Sequence, residues 1–303
     1  SNCHQPDRLF TDGQATGNGL KRLKRNTPTI VNTAYLRWYG WDGAADNLWA
    51  QTIRPIASDE EMDGVGALRN LYETDANLRA AFTDAFGISP PDVSDEKMIV
   101  FTAKALAAWQ ETLVTQRTPF DEYRDALLAD DAERMALYPE SAQRGLKIFI
   151  GKGRCSFCHF GPAFSNGEFA DIGIPHFYEG GVDKGRFGGI ANLQSSPFTL
   201  LGDYSDNPDG RDKASTRFLK QRHDSFGQFR VPGLRSVAET APYMHNGSLD
   251  TLEDVVQHYS KMNMERLHVD GESILRPLDL TASEIQDLVA FLRTLSESQQ
   301  GNP

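Results

Sequence analysis

Five consecutive residues, Cys155-Ser156-Phe157-Cys158-His159, restrict this chain more than any other stretch. They read C-x-x-C-H. Two thiols at this spacing can each add to a vinyl group of a haem, and the adjacent histidine then reaches the iron through an imidazole nitrogen. A redox C-x-x-C needs no histidine directly after it, and a zinc site needs two further ligands nearby.

The start of the chain carries the same signal. It begins Ser1-Asn2-Cys3-His4, and a cysteine just before Ser1 would complete a second C-x-x-C-H. Cys3, Cys155 and Cys158 are the 3 cysteines of the chain, so a two-haem reading uses all of them and leaves none for a disulfide. The segments that follow both Cys-His pairs also match. His4 to Gly13 and His159 to Gly167 each carry a proline, then an aromatic, a hydroxyl residue, an acid or amide, and a glycine. This is an internal repeat about half the chain apart, and it predicts one haem per half.

A length of 303 residues suits two domains, here expected as 1–138 and 139–303, with 39% hydrophobic residues to fill their cores. No apolar run approaches the ~20 residues of a membrane span. A net charge of -11 argues against nucleic acid and anionic membranes as partners. The basic run Lys21-Arg22-Leu23-Lys24-Arg25 stands out against that background and reads as a solvated face, with haem propionates or an acidic partner as the alternative contacts. No signal peptide is visible, as expected of a chain that starts after processing. Covalent haem attachment implies export, so a bacterial periplasm is expected.

The pattern predicts a mostly helical fold with long irregular loops and no convincing sheet. Residues 1–60 show turn signals and aromatics with little periodicity. Helical periodicity covers Glu60 to Phe86 and ends at Gly87. Ser94 caps a further helix whose stripe is Met98, Phe101, Ala105, Trp109 and Leu113, which places Trp109 in the core. Residues 117–138 read as a charged connector, and Ala142 to Ile150 as the helix running into the haem motif. Residues 160–230 are loop-rich. Thr251 caps a helix to about Met262, and Thr281 with Glu284 forms a capping box before the stripe Ile285, Leu288, Val289, Leu292 and Leu295.

Several stretches together resemble the di-haem cytochrome c peroxidase and MauG family over nearly the whole length. They are Arg25-Asn26-Thr27-Pro28, Tyr39-Gly40-Trp41-Asp42-Gly43, the Pro55 to Met62 segment, the second C-x-x-C-H, Phe229-Arg230-Val231-Pro232-Gly233-Leu234-Arg235, and Thr240-Ala241-Pro242-Tyr243-Met244-His245-Asn246-Gly247. The resemblance implies two cytochrome c-like haem domains, two covalent haem c groups, Ca²⁺ and hydrogen peroxide as substrate. His159 would ligate the second iron. Where the bacterial peroxidases have a methionine, fourteen residues after the histidine of the Ala-Pro-Tyr motif, this chain has Tyr259, the pattern of the MauG-like branch. Tyr259 shares a helix face with Leu252, Val255 and Val256 and so points inward. Met262, Met264 and His258 are the competing ligands. A phenolate stabilises high-valent iron better than a thioether, which raises the reduction potential.

His4 would be the proximal ligand of the first iron. Many relatives carry a distal histidine about sixteen residues later, where this chain has Leu20, so the resemblance implies an open site for peroxide. Glu61 falls at the position of the family's acid–base residue, with Gln51 and Pro55 in the distal pocket. Trp41 falls between the haems, and Asn26, Thr240 and Pro242 match the ligands of a calcium ion there. The function implied is a periplasmic peroxide-dependent enzyme that stores two oxidising equivalents in a bis-Fe(IV)-type state. It would oxidise a tryptophan of a partner protein at long range, with Trp38, Trp49 and Trp109 as unranked exit points. The alternatives are a cytochrome c peroxidase fed by a small redox protein and a non-catalytic electron-transfer cytochrome.

Overall fold

The structure is a computed structural model and describes residues 2–178, 180–207, 210, 213–264 and 275–297. Its helices in chain order are α1 (Leu48–Ala57), α2 (Val65–Thr74), α3 (Ala76–Phe86), α4 (Asp95–Gln110), α5 (Pro119–Leu128), α6 (Ala132–Ala136), α7 (Glu140–Ile150), α8 (Arg186–Ser195), α9 (Lys213–Arg217), α10 (Leu252–Ser260) and α11 (Ala282–Arg293). Among the described residues, the strands form two antiparallel pairs of two residues each. β1 (Phe169–Ala170) pairs with β4 (Phe229–Arg230), and β2 (Phe177–Tyr178) pairs with β3 (Gly181–Val182). The mostly helical expectation holds.

Local chemistry explains most helix ends. Ser94 accepts a hydrogen bond from the Lys97 amide, and Gly87 closes α3 in the left-handed region at φ 68°. Thr251 with Asp254, and Thr281 with Glu284, form capping boxes that open α10 and α11. Three expectations need correction. Helix α1 lies in the supposedly aperiodic first 60 residues; Pro55 sits inside it, yet Leu48, Trp49, Ile53 and Ile56 recur at helical spacing. The charged connector is in fact α5 and α6, opened by a capping box of Thr118 and Asp121. On α4 the expected Met98 is buried, together with Ile99, Val100, Thr102, Ala103, Ala107 and Gln110, but Trp109 turns outward, 48% exposed.

Two cores organise the chain. In the first, α1 packs on α4 through Leu48, Trp49, Ile53 and Ile56 against Ile99, Val100, Ala103 and Ala107. The second joins α7, α10 and α11 through Phe149, Val256, Leu288, Val289, Phe291 and Leu292. Gly145 lets α7 and α11 meet backbone to backbone, because a Cβ there would lie 1.9 Å from the Asp287 carbonyl oxygen. Mid-helix glycine costs roughly 1 kcal/mol, and the close contact offsets it. Arg144 clamps the same crossing with two bonds of 2.8 Å to Asp287.

Residues 119–138 pack on this second core. The Phe120 ring meets Phe164 and Phe291 edge-on, and Tyr138 donates to or accepts from Thr294 at 2.6 Å. The long irregular region instead reaches back to the first core. Asp46 accepts from the Leu200 amide and the Thr216 hydroxyl, and Arg186 donates to the carbonyls of Asp42 and Gly43. Among the described residues, no helix is long and apolar enough to cross a membrane.

Candidate active site

Both Cys-His pairs fold the same way. The His159 Nδ1 lies 2.9 Å from the carbonyl oxygen of Phe164, and the His4 Nδ1 lies 2.8 Å from that of Phe10. Phe164 and Phe10 both hold positive φ, 52° and 58°, and this turn aims each carbonyl back at its histidine. Engaging Nδ1 fixes the ring and presents Nε2 outward, as a metal-ligating histidine requires. Burial pushes the His159 pKa down, which keeps the imidazole neutral and able to ligate.

A cavity of about 1000 Å³ runs from the second Cys-His pair to the seam with the N-terminal segment. Cys155, Cys158, His159 and Tyr259 line it, together with Asn26, Trp41, Thr240, Pro242, Arg230 and His245. Of the competing groups for the second iron, Tyr259 alone reaches this wall. His258 is engaged through Nε2 with the Ile172 carbonyl at 2.7 Å, and Met262 is buried elsewhere. Burial pushes the Tyr259 phenol far up, and the two nearby thiols add to the shift. A phenolate is unfavourable there without a cation to face it, a charge that a metal ion would supply.

The N-terminal residues gather at the other end. The Trp41 indole donates to the Asn26 carbonyl at 2.9 Å, and the Arg230 amide donates to the Trp41 carbonyl at 2.8 Å, so Trp41 is tied to both halves. The Glu61 carbonyl accepts from the Leu20 amide at 3.0 Å. Burial pushes the Glu61 carboxyl up and Glu60 adds to this, while Arg54 opposes it. Burial first, then Asp12 and Glu61, raise the Cys3 thiol, so the Glu61 carboxylate is within electrostatic reach of Cys3. Gln51 and Pro55 lie on α1.

Arg54 was not singled out from sequence, and Arg25 was placed differently. Arg54 sits one turn from Gln51, at 3.2 Å from its amide oxygen and 3.7 Å from Asp42. Only the register of α1 would have shown it. Arg25, expected on a solvated face, instead forks onto Asp183 at 2.6 and 2.7 Å and pairs with Asp42 at 2.8 Å. Although burial pushes the Asp42 carboxyl up, Arg25 and Arg54 outweigh it and hold it below the usual range. Lys21 of the same run pairs with Asp59. The three exit tryptophans differ. Trp38 and Trp49 are buried under cations, Arg186 at 4.4 Å and Lys104 at 5.3 Å from their rings, and Trp109 is half exposed beside Phe10.

This geometry has counterparts of known kind. A family model described as di-haem cytochrome c peroxidase matches residues 1–127. Methylamine utilization protein MauG of Methylorubrum extorquens is 32% identical over 296 residues, covering 97% of this chain and 71% of that protein. The chain belongs to the di-haem cytochrome c peroxidase and MauG family. Cytochrome-c peroxidase IdrP1 of Denitromonas iodatirespirans is 35% identical over 313 residues, covering 98% of the chain and 76% of that protein. A solved MauG-like protein associated with microbial copper homeostasis superimposes with a TM-score of 0.72 at 24% identity, over 99% of this chain and 83% of that one. The diheme peroxidase BthA of Burkholderia thailandensis gives 0.74 at 22%, over 98% and 81%, and both share the fold.

As a family member this chain is a di-haem, peroxide-dependent oxidoreductase. The residues present fit the cofactor. Besides the thiols and His159, the cavity wall holds two polar groups that lack a full complement of partners. Arg230 is buried with its Nε on the Gly40 carbonyl and with no carboxylate among the described residues, and burial brings its pKa down to about 10. His245 is 3% exposed, stacks on Phe229 at 3.5 Å, and its Nδ1 has no partner. Burial pulls its pKa down to about 4. A ligand with acidic groups in the cavity would satisfy both.

Proposed function

We propose that this enzyme uses hydrogen peroxide to oxidise a tryptophan side chain of a partner protein by long-range electron transfer, in a bacterial periplasm. The observation that carries the reading is Tyr259, which lines the same cavity as His159 and the two thiols and stands at the sequence position where a cytochrome c peroxidase would carry methionine. When bound, the two haem c groups supply the redox chemistry that accepts two equivalents from peroxide.

The chain's residues divide the remaining work. Cys3 and His4 would hold one haem; Cys155, Cys158, His159 and Tyr259 would hold the other. Glu61, its carboxyl raised by burial, takes a proton from the inner oxygen of peroxide and returns it to the outer one, which leaves as water. Gln51 and Pro55 shape that pocket, and Arg54 balances the charge of Glu61. Leu20 offers no ligand there, so the site is open in the resting enzyme. Trp41, bonded to both halves, couples the two sites. Asn26, Thr240 and Pro242 would hold Ca²⁺ beside it through amide and carbonyl oxygens. The Asn26 amide nitrogen is already committed to the Gln14 carbonyl at 2.9 Å, which leaves its oxygen for the ion.

The test is to add one equivalent of peroxide without reductant, then a tryptophan-bearing partner, and to read the partner by mass spectrometry. Oxygen gained or hydrogen lost at a tryptophan supports the reading. The peroxidase names of relatives such as IdrP1 favour a second one, reduction of peroxide to water with electrons from a small cytochrome or copper protein. Fast turnover with such a donor and no change at tryptophan would select it.

A further inference from the structure

Beside the central cavity lies a second pocket of about 480 Å³, which shares Arg37, Phe169, Arg222 and Gln228 with the cavity wall. No residue assigned above to haem ligation or peroxide chemistry lines it. Its charge runs against that of the chain. Arg37, Arg186, Lys220 and Arg222 face Glu168 in a protein of net charge -11. Arg222 is partly spent on Asp224 at 2.8 Å. Among the described residues, Arg37, Arg186 and Lys220 form no ion pair within 4.0 Å.

Arg186 is the built part of the site. It is 4% exposed, and its guanidinium lies between the rings of Phe169 at 4.1 Å and Trp38 at 4.4 Å. Its Nη1 donates to the carbonyls of Gly43 at 2.7 Å and Asp42 at 3.3 Å. Carbonyls and π faces compensate a buried cation only in part, and burial brings its pKa down to about 10. The Arg37 guanidinium also lies over the Trp38 ring, at 5.6 Å. The rim is apolar on one side, with Ile190, Leu219 and a Phe218 that is 74% exposed.

We propose that this pocket captures a carboxylate side chain from an acidic, partly apolar segment of the partner protein and so orients that partner beside Trp38 and the central cavity. The proposal rests on the reading that the enzyme acts on a protein. Guanidinium forks match carboxylates bidentately, and the Phe218 rim suits an apolar neighbour of the acid. The overall negative field repels an acidic partner, so a local basic pocket selects its orientation rather than its arrival. Two cations over Trp38 also oppose removing an electron from that indole, and a docked carboxylate offsets them.

Calorimetric titration of the resting ferric holoenzyme tests this, with an acetylated, amidated Asp-Glu-Phe-Glu peptide and its Asn-Gln-Phe-Gln counterpart as probes. The acidic peptide is expected to bind at low salt and the neutral one not. Arg37→Gln combined with Lys220→Gln, both on the exposed rim, should weaken binding at least tenfold, and Arg117→Gln, which lies outside the pocket just before α5, should not. Equal binding of the two peptides, wild-type affinity in the double variant, or no binding of the acidic peptide overturns the proposal. Peroxide is absent throughout, so a failure of docking is seen separately from a failure of the peroxidase reading.

Discussion

The Trp41 indole nitrogen donates to the backbone carbonyl of Asn26 at 2.9 Å, and Asn26 in turn donates its amide to the His245 carbonyl at 2.8 Å. One hydrogen-bonded chain thus runs from the indole to the wall of the cavity that holds the second haem motif. Trp41→Phe should keep peroxide consumption at the first site while slowing oxidation of the partner at least tenfold. Stopped-flow spectra of the two steps check this; equal slowing of both would mean that Trp41 serves the peroxide pocket itself.

Glu61→Gln should lower the rate of peroxide cleavage by about 10²–10⁴-fold and leave the resting spectrum unchanged. Burial raises the Glu61 carboxyl, so activity should fall on acidification at a pH above the ordinary carboxylate range. The stability sign is opposite. A raised folded pKa contributes stability at low pH that is lost as pH rises through it, so the glutamine variant should melt no lower than wild type at neutral pH. Thermal melts beside pH–rate profiles test both.

Arg235 forks onto the buried Asp121 at 2.8 and 2.9 Å and reaches the Pro162 carbonyl in the loop after the second haem motif. The Arg235 bonds hold the Asp121 carboxyl well below the usual range. Its stability is therefore present above the unfolded value of about 3.9 and is lost as pH falls through the depressed folded value. Arg235→Gln removes the main partner of Asp121, which keeps Thr118 and Arg124, and should cost about 1.5–3 kcal/mol, with acid unfolding starting at higher pH. Denaturant titrations from pH 7 to pH 3 measure both effects.

Gly145→Ala forces a Cβ against the Asp287 carbonyl where α7 crosses α11. Neither backbone can yield cheaply, so the variant should lose about 1–3 kcal/mol or more and shift the potential of the second haem while sparing the first. Calorimetry and a redox titration follow the two.

The parts of this molecule that were legible in its sequence are those whose chemistry is contiguous. A C-x-x-C-H motif keeps both thiols and the ligand within five residues, and the Thr281–Glu284 box closes within one helical turn. Other features depended on phase or on distance. Pro55 masked α1, and with it the approach of Arg54 to Gln51. A small phase error on α4 turned Trp109 from core to surface. Arg25 looked solvated because both of its aspartates, Asp42 and Asp183, are distant in sequence, and the basic pocket around Arg186 is likewise assembled from segments far apart. The orphan Nδ1 of His245 becomes visible only when the cavity around it is formed.

The central claim is an open first haem and a tyrosine-ligated second one. Low-temperature EPR of the resting ferric protein, repeated after one equivalent of peroxide, tests it most directly. The account predicts one high-spin and one low-spin signal, both lost promptly with peroxide and no prior reduction, with near-infrared absorption that Tyr259→Met abolishes or shortens. Two low-spin signals that persist in peroxide until one haem is reduced would contradict it.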